Sequence, residues 1–125
     1  MKSAIRVAVA ALLLSIPAVA SAQNKAVGEW DFTTISPEGT FNSQLVIREE
    51  GGKLVAKGKS PNGERPYDSI EVKDSKITLV ITISYNGSPM VITYNGQVAD
   101  QNMGGDADFG GLATGTWSAV RHKTQ

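Results

Sequence analysis

From about residue 27 to residue 122 the chain alternates apolar and polar residues in short runs, and each run stops at a turn signal. A period of two is the mark of a half-buried β-strand, and no segment in this range repeats its apolar residues at helical spacing. Lys76–Tyr85 shows the pattern most cleanly. Ile77, Leu79, Ile81, Ile83 and Tyr85 fall on one face, and Thr78, Val80, Thr82 and Ser84 on the other. Asn86-Gly87 follows, a pair whose tolerance of positive φ suits a two-residue hairpin. The Asn86-Gly87-Ser88 sequon is accounted for by that turn, with Pro89 after it.

The same reading predicts seven further strands. Val27–Thr34 sets Trp30 and Phe32 on one face. Thr40–Glu49 sets Phe41, Ser43, Leu45 and Ile47 together, and Lys53–Ser60 sets Leu54, Ala56 and Gly58 together. Tyr67–Lys73 is short, Met90–Val98 carries Gly96 as a bulge or close-approach site, with a turn at Asn95-Gly96 as the alternative, Met103–Phe109 is glycine-rich, and Thr114–His122 ends the series. Pro61–Pro66 reads as the longest irregular stretch. Pro37-Glu38-Gly39, Glu50-Gly51-Gly52 and Asp74-Ser75 supply turns. Short connections make successive strands antiparallel neighbours. The only two tryptophans sit in Gly28-Glu29-Trp30 and Gly115-Thr116-Trp117, one in the first strand and one in the last. The expected fold is an all-β, eight-stranded antiparallel up-and-down β-barrel whose first and last strands meet, closure being one way to remove exposed edges. A β-sandwich is the alternative.

Residues 1–22 read as a secretory signal peptide. Lys2 and Arg6 precede the apolar run Ala8–Leu14 with Ile16, Pro17 breaks it, and Ala20-Ser21-Ala22 is a small-x-small cleavage site. The run is short for a bilayer span. Residues 23–125 then form one domain of an exported protein, periplasmic or secreted. The chain has no cysteine, so disulfides and thiolate metal sites are excluded, and the fold rests on its core. Charges balance at twelve of each sign, and processing removes two cations, so no basic excess invites nucleic acid or an anionic membrane. Lys53, Lys57 and Lys59 alternate with apolar residues and read as a solvated strand face.

An eight-stranded interior holds either packed side chains or one small ligand. Phe41, Leu45, Leu79, Ile81, Ile83, Tyr94, Phe109 and Trp117 are the expected inward groups and the candidate ligand contacts. A filled core has the same sequence pattern. The small residues Gly104, Gly105 and Ala107 on one wall, with Ala56 and Gly58 on another, favour a cavity. Asp106 and Asp108, in a glycine-rich stretch, share a strand face within reach of one cation, but the calcium-loop pattern lacks its final carboxylate because Trp117 stands there. No metal or other cofactor is expected. His122, the only histidine, falls in a tail expected to fray, so a Ser–His–Asp arrangement has poor prospects, and no carboxylate pair sits in an apolar setting. No catalytic residue is assigned.

Gly28-Glu29-Trp30 at the start of the first strand, with Arg121 late in the last, resembles the calycin barrels: lipocalins, fatty-acid-binding proteins and avidins. The run Gly115-Thr116-Trp117-Ser118-Ala119 resembles the C-terminus of small exported bacterial β-barrel domains of uncharacterised function. The calycin resemblance implies that Arg121 covers Trp30 as a cation–π plug at a closed barrel end. It lacks the lipocalin first loop, C-terminal helix and cysteines, and no biotin site maps onto it. The function expected is non-catalytic binding of an apolar or amphipathic small molecule inside the barrel. The alternatives are a filled barrel working as an interaction module through the Thr/Val face of Lys76–Tyr85 with Val46 and Val55, and a hydrolase or isomerase in the barrel mouth. Ligand identity and oligomeric state are not written in the residues.

Overall fold

The computed structural model describes residues 25–123, so the signal peptide expected over residues 1–22 lies outside the described residues. Nine strands follow one another: β1 (Gly28–Ser36), β2 (Gly39–Glu50), β3 (Lys53–Ser60), β4 (Gly63–Pro66), β5 (Ser69–Lys73), β6 (Lys76–Tyr85), β7 (Ser88–Val98), β8 (Asn102–Phe109) and β9 (Ala113–Arg121). Among the described residues there is no helix, and so none long and apolar enough to cross a membrane. The additional strand is β4. It folds back on the end of β3 with Gly58 opposite Arg65 and Ser60 opposite Gly63. Pro66 had masked it, because proline cannot donate to a ladder; on an outer strand that costs nothing.

All pairings are antiparallel, and the strand order is β4-β3-β2-β1-β9-β8-β7-β6-β5. β1 and β9 pair from Trp30 opposite Arg121 to Ile35 opposite Thr116, so the first and last long strands meet. The two edges of the sheet therefore fall in the middle of the chain, at β4 and β5. No ladder joins them, and the sheet is not closed in the sense expected from eight strands. The connecting residues Tyr67 and Asp68 bridge the seam instead. The Tyr67 N–H donates to the Ala56 carbonyl of β3 at 2.9 Å, and the Asp68 N–H donates to Val80 of β6 at 2.7 Å. Thr82 Oγ1 adds a hydrogen bond to Asp68 Oδ2 at 2.6 Å.

The turns use the residues that tolerate their geometry. Asn86 and Gly87 both take positive φ (53° and 81°), as a two-residue hairpin matching the strand twist requires. Gly96 interrupts nothing: β7 runs straight through it. A Cβ there would lie 2.1 Å from the Gly104 carbonyl oxygen and 2.8 Å from the Trp117 ring, and a Cβ on Gly105 would lie 1.9 Å from the Asn95 carbonyl oxygen. The glycines let β7 and β8 approach while the Trp117 indole occupies the space above them. The small wall read from the sequence as room for a ligand is thus filled by Trp117.

The core has two storeys. At the lower end Trp30, Leu45, Ile47, Ile77 and Leu79 are the largest fully buried side chains, and Val98, Met103 and Ala119 pack with them. Arg121 caps this end, its Cζ 4.0 Å from the centroid of the Trp30 ring. The guanidinium group also donates to the main-chain carbonyls of Asp100 at 2.9 Å, Val27 at 2.6 Å and Lys25 at 2.5 Å. Burial lowers the Arg121 pKa, partly opposed by Asp100. Trp30 Nε1 donates to the Ala26 carbonyl at 2.9 Å. Gly28 sits at φ 135°, and a Cβ there would lie 2.5 Å from Arg121 Nη1. That contact explains the glycine of the first Gly-x-Trp.

Two consequences are testable. Trp30→Leu and Arg121→Met, made singly and together, should show a coupling of about 1 kcal/mol in denaturant unfolding, whereas additive losses would mean that the stacked geometry contributes nothing of its own. Gly105→Ala should cost at least about 2 kcal/mol, above the ordinary ~1 kcal/mol of a point substitution, because β7 and β8 must separate to admit the methyl group.

Candidate functional site

Above the lower core the barrel is open. A cavity of about 590 Å³ extends from the aromatic side chains at mid-height to a mouth lined by the β1–β2, β3–β4 and β8–β9 turns and by Tyr85 at the end of β6. Its position follows from the strand register.

The floor is aromatic. Phe32 stacks on Trp117 with ring centroids 5.3 Å apart and planes at 18°. Tyr94 meets Phe32 edge-on at 5.1 Å and Trp117 at 6.0 Å. Such offset and edge-on contacts add to ordinary burial. Trp117 Nε1 donates to the Asn95 carbonyl at 3.1 Å, which fixes the indole orientation. Phe32 and Tyr94 face the cavity, while Trp117 does not line it. The walls are Ile81, Ile83, Met90, Ile92 and Phe109, with Phe41 and Leu112 at the rim. Leu112 is 77% exposed and Phe41 57% exposed, so these two give the lip of the mouth an apolar stretch beside its polar groups.

Of the side chains expected to meet a ligand, Phe41, Ile81, Ile83, Tyr94 and Phe109 line this cavity. Leu45, Leu79 and Trp117 do not. Alternation places all eight correctly on inward faces, but height along the strand decides between core and cavity. Leu45 lies opposite Trp30 and Gly58, and Leu79 opposite Ile70 and Tyr94, in the packed lower storey. Phe32, Thr34, Met90 and Ile92 also line the cavity, and each shares a strand face with a residue already singled out. Arg65, from the stretch read as irregular, and Tyr67, read as the start of the next strand, line it as well.

Two phenols lie close together in the wall. The rings of Tyr67 and Tyr94 are 6.4 Å apart. Burial raises the Tyr67 pKa well above 10, with the nearby Tyr94 adding to the effect. Burial raises Tyr94 too, offset in part by a hydrogen bond with Thr34. Both therefore remain neutral hydroxyls. At the mouth Tyr85, reaching from β6, donates to Glu38 Oε2 of the β1–β2 turn, and the Glu38 carboxylate raises that phenol.

The remaining candidates lie elsewhere. Asp106 and Asp108 are exposed, and Asp108 Oδ1 accepts the Gly111 N–H at 2.8 Å, which caps the β8–β9 turn. Among the described residues no group of three His, Asp or Glu side chains is placed to hold a metal ion. His122 is anchored, contrary to the frayed tail expected. Its N–H donates to the Glu29 carbonyl at 2.9 Å, and its ring contacts Asp31 Oδ1 at 2.8 Å and Gln44 Nε2 at 3.2 Å. No serine or threonine hydroxyl bonds to it among the described residues. Val46 faces outward by register yet is buried, so it adds little to an exposed Thr/Val face.

No protein-family model matches the chain, and no curated protein matches it. Solved structures do. A redesigned β-barrel superposes with a TM-score of 0.57 at 18% identity, over 82% of this chain and 96% of its own. A second redesigned β-barrel, mFAP1 bound to DFHBI, gives 0.53 at 17% identity, over 80% of this chain and 98% of its own. The likeness establishes the fold: a small antiparallel β-barrel.

The raised phenols make stability fall at alkaline pH. Both tyrosines hold their protons in the folded state after the unfolded chain, with pKa near 10, has lost them. Their contribution is whole below about pH 10 and declines as pH rises above it. Denaturant unfolding at stepped pH should show that decline, and Tyr67→Phe should flatten it.

Proposed function

We propose that this protein is an exported, non-catalytic barrel of the calycin type that binds an apolar or amphipathic small molecule in its upper half. The observation that carries the reading is the cavity. At about 590 Å³ it falls within the ~300–1,000 Å³ range of small-molecule sites, and it combines an apolar floor and walls with a few polar groups at the mouth. A filled barrel would leave no such space. Export is supported by the signal-like pattern of residues 1–22. In the same reading, Trp30 and Arg121 close the lower end, and the ligand contacts are Phe32, Phe41, Ile81, Ile83, Tyr94 and Phe109. Leu45, Leu79 and Trp117 support the floor from below. The likeness to mFAP1, which holds DFHBI, is consistent with a barrel of this size admitting a small dye.

A neutral, environment-sensitive dye such as N-phenyl-1-naphthylamine tests this directly. Its fluorescence should rise on titration with the protein. Ile83→Trp, which fills the wall midway up, should weaken binding at least about tenfold without lowering stability, because extra bulk enters empty space instead of a packed core. Equal binding by the wild type and the filled variant would place the dye outside the cavity.

A further inference from the structure

The polar end of the ligand is decided by which charges at the mouth already have partners. Glu64 is bridged by Lys57 at 3.3 Å and Lys59 at 3.8 Å. Glu38 accepts the Tyr85 hydroxyl. Arg65 differs. It stands opposite Gly58 on β4, so its side chain is on the face that lines the cavity. No carboxylate lies within 4 Å of it among the described residues, and its single hydrogen bond is from Nη1 to the Thr82 carbonyl at 3.5 Å.

Tyr67 is two residues further along and shares that inward face. Its ring packs over the bare side of Gly58, where a Cβ would lie 3.4 Å from Cε1. Its hydroxyl has no hydrogen-bond partner among the described residues, although no side-chain polar atom sealed from solvent is left unpaired. The phenol therefore opens into the cavity. Arg65, which has no carboxylate partner among the described residues, and the unpaired Tyr67 hydroxyl thus line the cavity from one short segment at the seam. Guanidinium groups and hydroxyls of this kind bind carboxylates and sulfonates by charge-assisted hydrogen bonds.

The geometry points to an anionic amphiphile as the ligand. Its singly charged acidic head is held at the mouth by Arg65 and Tyr67, and its apolar body lies down against Phe32, Ile81, Ile92 and Tyr94. This inference rests on the cavity reading given under Proposed function and adds the chemistry of the head group.

A matched pair of dyes separates the two claims. 8-Anilino-1-naphthalenesulfonate and N-phenyl-1-naphthylamine share a ring system and differ in the sulfonate. The protein should bind the sulfonate about fivefold to tenfold more tightly. Arg65→Gln should bring the ratio to about one by weakening the sulfonate far more than the neutral dye, and Tyr67→Phe should remove part of the preference. Arg65 is exposed, so its replacement leaves the fold intact, and an unchanged melting temperature checks this. Equal affinity for the two dyes, or a sulfonate preference that survives Arg65→Gln, overturns the anionic assignment while binding of the neutral dye upholds the cavity. Failure of both dyes to bind overturns the cavity reading and this inference with it.

Discussion

The stacked Phe32 and Trp117 rings, with Tyr94 edge-on against them, divide the barrel into a solid half and a hollow half. Below this layer every inward side chain meets another, and the lower end is sealed by Arg121 over Trp30. Above it the walls diverge toward the turns and nothing fills the middle. The layer depends on backbone as much as on side chains. The Trp117 ring lies where a Cβ on Gly96 would reach it, and Gly105 lets β8 approach the Asn95 carbonyl of β7. The offset and edge-on contacts among these three aromatic side chains add to their ordinary burial.

Pairing between β1 and β9 has a second consequence. It joins the first and last strands in the body of the sheet and moves the discontinuity to the middle of the chain, between β4 and β5. Exposed edges invite pairing with other chains. Here Pro66 on β4, the charged pair Glu71 and Lys73 on β5 and the bridging bonds of Tyr67 and Asp68 cover that risk. The same seam is where the fold is least regular, and it contributes Arg65 and Tyr67 to the cavity wall. Structural irregularity and candidate chemistry coincide there, as they often do where a regular scaffold carries a variable segment.

Much of this was legible in the residues. Alternation placed Phe41, Leu45, Leu79, Ile81, Ile83, Tyr94, Phe109 and Trp117 on inward faces, and the two Gly-x-Trp triplets marked the strands that meet. What alternation lacks is height. Leu79 and Ile81 are neighbours on one face, yet Leu79 is sealed in the lower core and Ile81 lines the cavity. That difference arises from the stagger of neighbouring strands, which no single strand encodes. Arg65 was missed because Pro61 and Pro66 flank its segment and hide a strand of only four residues, and Tyr67 because it was read only as the start of the next, short strand. His122 looked like a tail because its partners, Glu29, Asp31 and Gln44, are far away in the chain.

The sequence by itself determined the class of fold, the faces of most strands, the turns and the meeting of the first strand with the last. These follow from period-two patterning and from residues that tolerate positive φ, both of which are local properties. Only the tertiary structure decided where the core ends and the cavity begins, where the sheet stays open, and which charges remain without partners. Those depend on distances between strands far apart in the chain, set when the sheet curls around Trp117 and Phe32.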